Sequence, residues 1–175
     1  MKNSIIFSIF CWLITILCKL YFSTQLMWGG FSPIIAIALI SGITLEKNVS
    51  FLLPLVSLFI SDIVIEILNC FHLFPFHGLY TGQILNYGLL LAVTMIGWLA
   101  KNYRLLVSLV GPMFFFITSN FFVWFFGGLG YADNCYGLIS CYIAGIPFLL
   151  NSITATLVFL PLLTLLSSKK NILVV

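Results

Sequence analysis

Residues 49–68 read VSFLLPLVSLFISDIVIEIL, a run of 20 residues whose only charged members are Asp62 and Glu66. About 20 largely apolar residues, each rising about 1.5 Å along a helix, cross the hydrocarbon core of a bilayer. The apolar residues are continuous rather than alternating, which favours a helix over a strand of a membrane barrel. This stretch therefore predicts a membrane-spanning helix that carries two acidic side chains.

The rest of the chain repeats this pattern. Hydrophobic residues make up 62% of the 175 and charged residues only 6%, whereas a soluble domain has roughly 25% charged residues. We therefore predict an all-α integral membrane protein, a single six-transmembrane-helix bundle with no room for a soluble ATPase, kinase or nuclease domain. The predicted spans are residues 4–21, 31–45, 49–68, 84–100, 105–126 and 138–166.

Two of these spans leave alternatives open. The first resembles a secretory signal peptide, but no A-x-A-like cleavage site follows it, so we expect a retained helix, with removal as the alternative. The second, at 15 residues, is short for a bilayer. It would be tilted, partly re-entrant, or extended by its neighbours.

Basic residues predict the orientation, because short cytoplasmic loops carry an excess of Lys and Arg. With the N-terminus inside, only Lys19 lies on the outer side. The residues then on the inner side are Lys2, Lys47, Lys101, Arg104, Lys169 and Lys170. Both termini are therefore expected in the cytoplasm. The longer connections, at residues 22–30, 69–83 and 127–137, then lie outside, so a binding site would open outward.

The scattered basic residues give no sign of a nucleic-acid partner.

Asp62 and Glu66 are the most unusual residues, because they lie four residues apart on one face of a predicted span. An acidic side chain at the centre of a bilayer costs about 2.5–3.5 kcal/mol on insertion scales. A polar partner, water or bound substrate must compensate Asp62. The alternatives to a binding role are that Glu66 sits at the membrane interface and that Asp62 bonds a neighbouring helix.

His72 and His77 follow in the outer loop, just after Cys70. With the acidic pair they supply ligand types for a transition metal, but their spacing matches no metal motif, so we predict no metal or other cofactor. Cys70 could instead form a disulfide with Cys135 in an oxidising compartment. No GxSxG or HExxH pattern is present, and we do not expect an enzyme.

Polar residues also mark the last two predicted spans. Asn120 and Trp124 lie four residues apart on the fifth span, where a buried Asn must bond another helix or a ligand. Trp124 could equally be an interfacial belt residue. We expect Pro147 to kink the sixth helix and free the carbonyl near Ile143, which Asn151 could satisfy. Small residues at Ser32-xxx-Ala36 and Ala38-xxx-Gly42 suit close helix packing, within the bundle or with a partner.

Four stretches together resemble a known group of proteins. They are FSPIIAIALISG (31–42), PLVSLFISDIVI (54–65), ITSNFFVWF (117–125) and GLISCYIAGIPFLLNSI (137–153). In order and spacing they are similar to an uncharacterised family of small bacterial membrane proteins. That family is grouped with the substrate-binding S components of energy-coupling factor (ECF) vitamin transporters.

The resemblance implies an S-component-like fold in the bacterial cytoplasmic membrane, binding a micronutrient at its outer face. It also implies docking onto a transmembrane coupling subunit with two ATPases, for which the small-residue stripe of the second span is a candidate face. The residues that match the motifs are Ser61, Asp62, Asn120, Trp124, Cys141, Tyr142, Pro147 and Asn151. The chain departs from the pattern where a Gly-Phe-His is expected soon after Asp62, and where an acidic residue is expected near Thr156.

We therefore expect a substrate-binding membrane subunit for uptake of a vitamin or similar micronutrient. The expected substrate-binding residues are Asp62, Glu66, His72, His77, Asn120, Trp124, Tyr142 and Asn151. The alternatives are a structural or assembly membrane protein without transport activity and a metal-binding membrane protein.

Overall fold

The computed structural model describes residues 2–80 and 82–168, and all regular structure in this part of the chain is helical. Short 3₁₀ turns lie at Leu26–Trp28 and Gly128–Gly130. The α-helices are α1 (Lys2–Phe22), α2 (Ile34–Thr44), α3 (Lys47–Ser50), α4 (Leu52–Cys70), α5 (Gln83–Leu99), α6 (Arg104–Phe125) and α7 (Cys135–Ser168). The six longer helices coincide with the six predicted apolar runs, and α3 is a single turn between two of them.

The predicted all-helical membrane class is confirmed. Among the described residues, four helices, α1, α4, α6 and α7, are long and apolar enough to cross a membrane. The other two are shorter, with 11 residues in α2 and 17 in α5. At about 1.5 Å per residue, α2 covers roughly 16 Å, about half of the hydrocarbon thickness. Spanning by all six helices therefore stays a prediction.

The short helix α2 lies inside the bundle. Residues 35–42 are all buried, and the helix contacts α4, α5, α6 and α7. Non-helical backbone at membrane depth is tolerated where protein covers it, because the polar groups are then not exposed to lipid. A central α2 can therefore end short of the bilayer surfaces.

Glycines allow α2 and α5 to pack backbone to backbone. A Cβ added to Gly42 would lie 2.1 Å from the Thr94 carbonyl oxygen, and one on Gly97 would lie 2.6 Å from that of Leu39. Ala36 and Ala38 are fully buried in the same region. The expectation that this stripe forms a docking face for a coupling subunit is wrong, because the bundle itself covers the stripe.

The outer surface of the bundle is apolar. Large side chains such as Leu17, Leu105 and Ile143 are more than half exposed, as expected for residues that face lipid rather than water. The Lys169–Lys170 pair, on which the predicted orientation partly depends, lies outside the described residues.

Candidate functional site

Asp62 is fully buried on α4 and accepts three hydrogen bonds. The Lys19 ammonium on α1 forms an ion pair with Oδ1. The Gln83 amide donates to Oδ2, and the Tyr87 hydroxyl donates to the same oxygen at 2.6 Å. Donors from α1 and α5 thus converge on one carboxylate and tie three helices together.

These contacts supply the compensation that a buried carboxylate needs, since an unpaired charge in a low-dielectric interior is strongly unfavourable. The sequence predicted that Asp62 has a partner but placed Lys19 among the outward-facing charges. A signal was available: Lys19 is the basic residue in the last turn of the apolar helix α1. Ionisable groups inside membranes commonly pair with one another.

A second layer of hydrogen bonds holds Gln83 in place. Asn86 donates to the Gln83 carbonyl oxygen at 3.0 Å and to the Tyr80 hydroxyl at 2.7 Å. Desolvation by the surrounding protein raises the pKa of the Tyr80 phenol, opposed by the Asn86 hydrogen bond and reinforced by the nearby Asp62 carboxylate. Tyr80 therefore keeps its proton and can act as a hydrogen-bond donor.

Glu66 fastens the connection between α4 and α5. Its Oε2 accepts the backbone N–H groups of Gly78 at 2.9 Å and Leu79 at 3.1 Å, and its Oε1 lies 3.3 Å from Nδ1 of His77. A Cβ on Gly78 would lie 1.9 Å from the Asp62 carbonyl oxygen. The loop therefore lies directly against α4, and the predicted residues Glu66 and His77 meet there.

His72 lies in the predicted loop, directly after the end of α4. It has φ of +57°, in the left-handed region, and its N–H donates to the Asn69 carbonyl at 2.9 Å. Leu73 N–H reaches the Leu68 carbonyl, also at 2.9 Å. This pair of bonds is the Schellman motif that ends many helices. His72 is exposed and terminates α4 rather than lining a pocket.

A cavity of about 510 Å³ extends from the α4–α5 loop, residues 71–80, towards the middle of the bundle. One wall carries the polar groups of Lys19, Tyr80, Gln83 and Asn86. The rest of the lining is mixed, with seven Phe side chains beside aliphatic residues and several small polar side chains. The aromatic residues that line it are Phe22, Phe31, Phe74, Phe76, Tyr80, Phe115, Phe116 and Phe148. Of the residues predicted to bind substrate, His77 and Asn120 line the cavity. Asp62 and Glu66 do not line it, but they accept hydrogen bonds from residues that do.

The remaining predicted residues form structural hydrogen bonds outside the cavity lining. The Trp124 indole donates to the Ala132 carbonyl at 2.9 Å, and the Tyr142 hydroxyl donates to the Ile117 carbonyl at 2.8 Å. These bonds close the α6–α7 connection and join the two helices.

Asn151 bonds a different segment from the one expected. Its amide donates to the carbonyls of Met27 at 2.9 Å and Gly29 at 3.0 Å. The expectation that Asn151 satisfies a carbonyl near Ile143 is wrong, because both of its N–H groups bind the connection between α1 and α2. Asn151 thereby anchors the segment that carries Phe31 into the cavity wall.

Asn120 lies where α6 and α7 approach closely. Its amide donates to the Phe116 carbonyl at 2.9 Å, and the Cys141 thiol lies 3.4 Å from its backbone carbonyl oxygen. A Cβ on Gly145 would lie 2.7 Å from the Asn120 side-chain oxygen. This close packing fixes the side chain at the cavity edge.

The described residues contain no group of three or more His, Cys, Asp and Glu side chains that could hold a metal ion. The five cysteines, all among those residues, are free thiols, and Cys70 and Cys135 are both exposed. The disulfide considered between those two is not formed.

Apolar helices around a partly buried ion pair and a cavity lined in part by aromatic side chains define the class: an α-helical integral membrane protein. The chain belongs to DUF6580, a family of unknown function, whose family model matches residues 1–170. No curated protein and no solved structure matches the chain. Membership of a family without an assigned function is thereby confirmed, and the relation to S components remains a resemblance.

Proposed function

We propose that this protein is the substrate-binding membrane subunit of an uptake system for a vitamin or similar small micronutrient, similar to an ECF S component. The cavity beside Lys19 carries the proposal. At about 510 Å³, it falls within the roughly 300–1,000 Å³ typical of small-molecule sites, which are mostly apolar with a few oriented polar groups.

The location of the cavity supports uptake from outside. Its lining includes residues of two of the longer connections, Gly30–Ser32 between α1 and α2 and Phe74–Tyr80 between α4 and α5. The distribution of Lys and Arg predicts that these connections face outward. A ligand would enter at that side and rest between the loop and the middle of the bundle.

The energy for transport would come from a partner. The sequence has no GxxxxGK[ST] phosphate-binding loop, and the resemblance implies a transmembrane coupling subunit with two ATPases. The protein itself would capture the ligand, and its apolar outer surface would contact lipid and the coupling subunit.

Intrinsic fluorescence gives a direct test of ligand binding. The Trp28 ring lies 5.5 Å from that of Phe31 and 5.8 Å from that of Phe22, both cavity residues. Titration with a panel of water-soluble vitamins is expected to change the fluorescence for one of them, and Trp28→Phe should remove most of the change.

A matched pair of variants on α7 assigns the binding to the cavity. Ser152 lines the cavity, whereas Thr154 is exposed on the same helix and lies outside the lining. Ser152→Phe should abolish binding by filling the space, and Thr154→Phe should bind as the unmodified protein does. Absence of binding across the panel, together with unchanged micronutrient uptake by an auxotroph carrying Asp62→Ala, would refute the proposal.

A structural or assembly role is the second candidate. Three residues predicted to bind substrate favour it, because their side chains form hydrogen bonds that join one part of the fold to another. They are Trp124, Tyr142 and Asn151. In that case Ser152→Phe would leave the cellular phenotype unchanged, because the cavity would have no role.

A further inference from the structure

We propose that the ligand is an uncharged, planar aromatic molecule with a carbonyl acceptor on its edge, and that Lys19 recognises this acceptor. The inference rests on the proposed function and specifies the chemistry of its substrate. Three observations carry it: the aromatic residues of the lining, the unused N–H groups of Lys19, and the positions of the Asp62 and Glu66 carboxylates outside the lining.

The aromatic lining favours a flat ring system. Phe22 and Phe31 pack with their ring centres 4.7 Å apart at one side of the cavity. Phe115, Phe116 and Phe148 line it from α6 and α7. Aromatic pairs prefer offset-stacked or edge-to-face arrangements and attract each other beyond the effect of the area that they bury. A planar aromatic ligand can make such contacts with several walls at once.

Lys19 supplies the specific donor. A lysine ammonium has three N–H groups, and among the described residues the acceptor that it contacts is Oδ1 of Asp62. The side chain is 26% exposed and lines the cavity. Gln83 is less available, since it donates to Asp62 and accepts from Asn86. The free N–H groups of Lys19 are therefore the strongest donors offered to a ligand.

The charges of the wall select an uncharged ligand. Asp62 is fully buried, and neither Asp62 nor Glu66 is among the residues that line the cavity. A cationic ligand would meet the Lys19 ammonium before either carboxylate. An anionic ligand would meet a lysine whose charge Asp62 already balances. In both cases a charge would be buried without a counter-charge, which is unfavourable in a low-dielectric site.

A series of probes on one ring skeleton tests this inference. Acridone is neutral with a ring carbonyl, 9-aminoacridine is a cation at neutral pH, and acridine-9-carboxylate is an anion. Binding to the purified protein in detergent is followed by the fluorescence of each probe. We expect acridone to bind at least tenfold more tightly than either charged probe, and Ser152→Phe to abolish its binding while Thr154→Phe does not.

Lys19 is tested with a variant that leaves no unpaired buried charge. Lys19→Met combined with Asp62→Asn keeps an acceptor for Gln83 and Tyr87 while removing the ammonium donor. The loss of a hydrogen bond to a charged donor should weaken acridone binding about tenfold, without weakening 9-aminoacridine. Lys19→Arg keeps both charge and donors and should retain acridone binding, which provides a second test if the double variant does not fold.

The outcomes separate this inference from the proposed function. Tightest binding by 9-aminoacridine or acridine-9-carboxylate, blocked by Ser152→Phe, would overturn the inference while supporting a ligand cavity. Absence of binding by all three probes would also overturn the inference, and the vitamin titrations would decide the proposed function independently. Unchanged acridone affinity in the folded double variant would remove the role of Lys19.

Discussion

Asp62 shows how far single residues could be interpreted from the sequence. Its position in an apolar run predicted that it is buried and has a compensating partner, because an isolated charge in a membrane is unfavourable. The identity of the partner could not be predicted, since Lys19 is 43 residues away and meets it only through the packing of α1 on α4. The hydrogen bonds of Tyr87 and Gln83 to Asp62 could likewise not be predicted, because they depend on the packing of α5 beside α4.

Loss of the Asp62 carboxylate should destabilise the bundle. Asp62→Ala leaves Lys19, Gln83 and Tyr87 without their common acceptor. Breaking a buried ion pair from one side typically lowers the free energy of unfolding by about 3–5 kcal/mol. Thermal unfolding in detergent should therefore show a clear drop in Tm. Asp133→Ala, at an exposed loop position, is the control, and equal Tm values for the two variants would contradict the structural role of Asp62.

His72 offers the opposite test, of a residue predicted to bind substrate that the structure places in a turn. A non-glycine residue in the left-handed region carries a strain of roughly 1–2 kcal/mol, so His72→Gly should leave Tm unchanged or raise it. Ligand binding should be unaffected, because the side chain is outside the cavity lining. A His72→Gly protein that folds but loses vitamin binding would show that the imidazole takes part in the site.

At the scale of elements, hydropathy predicted the six longer helices because each is an uninterrupted apolar run. It could not predict that α2 is central, since a buried helix and a lipid-facing helix are both apolar on all sides. The small residues Ala36, Ala38 and Gly42 indicated close packing. Whether their partner lay inside or outside the bundle depended on α5, where Gly97 provides the matching surface.

Two glycines of α5 provide a matched comparison. Gly97→Ala places a methyl group 2.6 Å from the Leu39 carbonyl oxygen, whereas Gly88→Ala meets nothing within 4 Å. We expect Gly97→Ala to lower Tm because α2 and α5 must separate. Gly88→Ala should be neutral or stabilising, by up to about 1 kcal/mol, since alanine is the better helix former. Similar Tm values for both variants would contradict the close α2–α5 contact.

At the scale of the whole molecule, the orientation can be tested with the native cysteines. Cys70 and Cys135 are exposed free thiols near the connections predicted to face outward. A membrane-impermeant maleimide added to intact cells should label single-cysteine variants that retain either of them. A cysteine introduced by Lys101→Cys, in a turn predicted to face the cytoplasm, should react only after the cells are opened. The reverse pattern would invert the topology and the direction of ligand entry.

The cavity illustrates what a whole fold adds to a sequence. An outward-opening site was predicted from the length and polarity of the loops, and His77 and Asn120 were named among its residues. The aromatic lining was not predicted, because its members are distributed over α1, α6, α7 and two connections. In the sequence, each Phe taken alone is equally consistent with a side chain that faces lipid and with one that packs in the core.

Occupancy of this cavity by a small molecule is the central claim, and native mass spectrometry measures it most directly. The protein is incubated with a mixture of water-soluble vitamins and released from detergent in the spectrometer. The account predicts one small-molecule adduct on the unmodified protein and on Thr154→Phe, and none on Ser152→Phe. No adduct on any of the three proteins, or the same adduct on all of them, would contradict it.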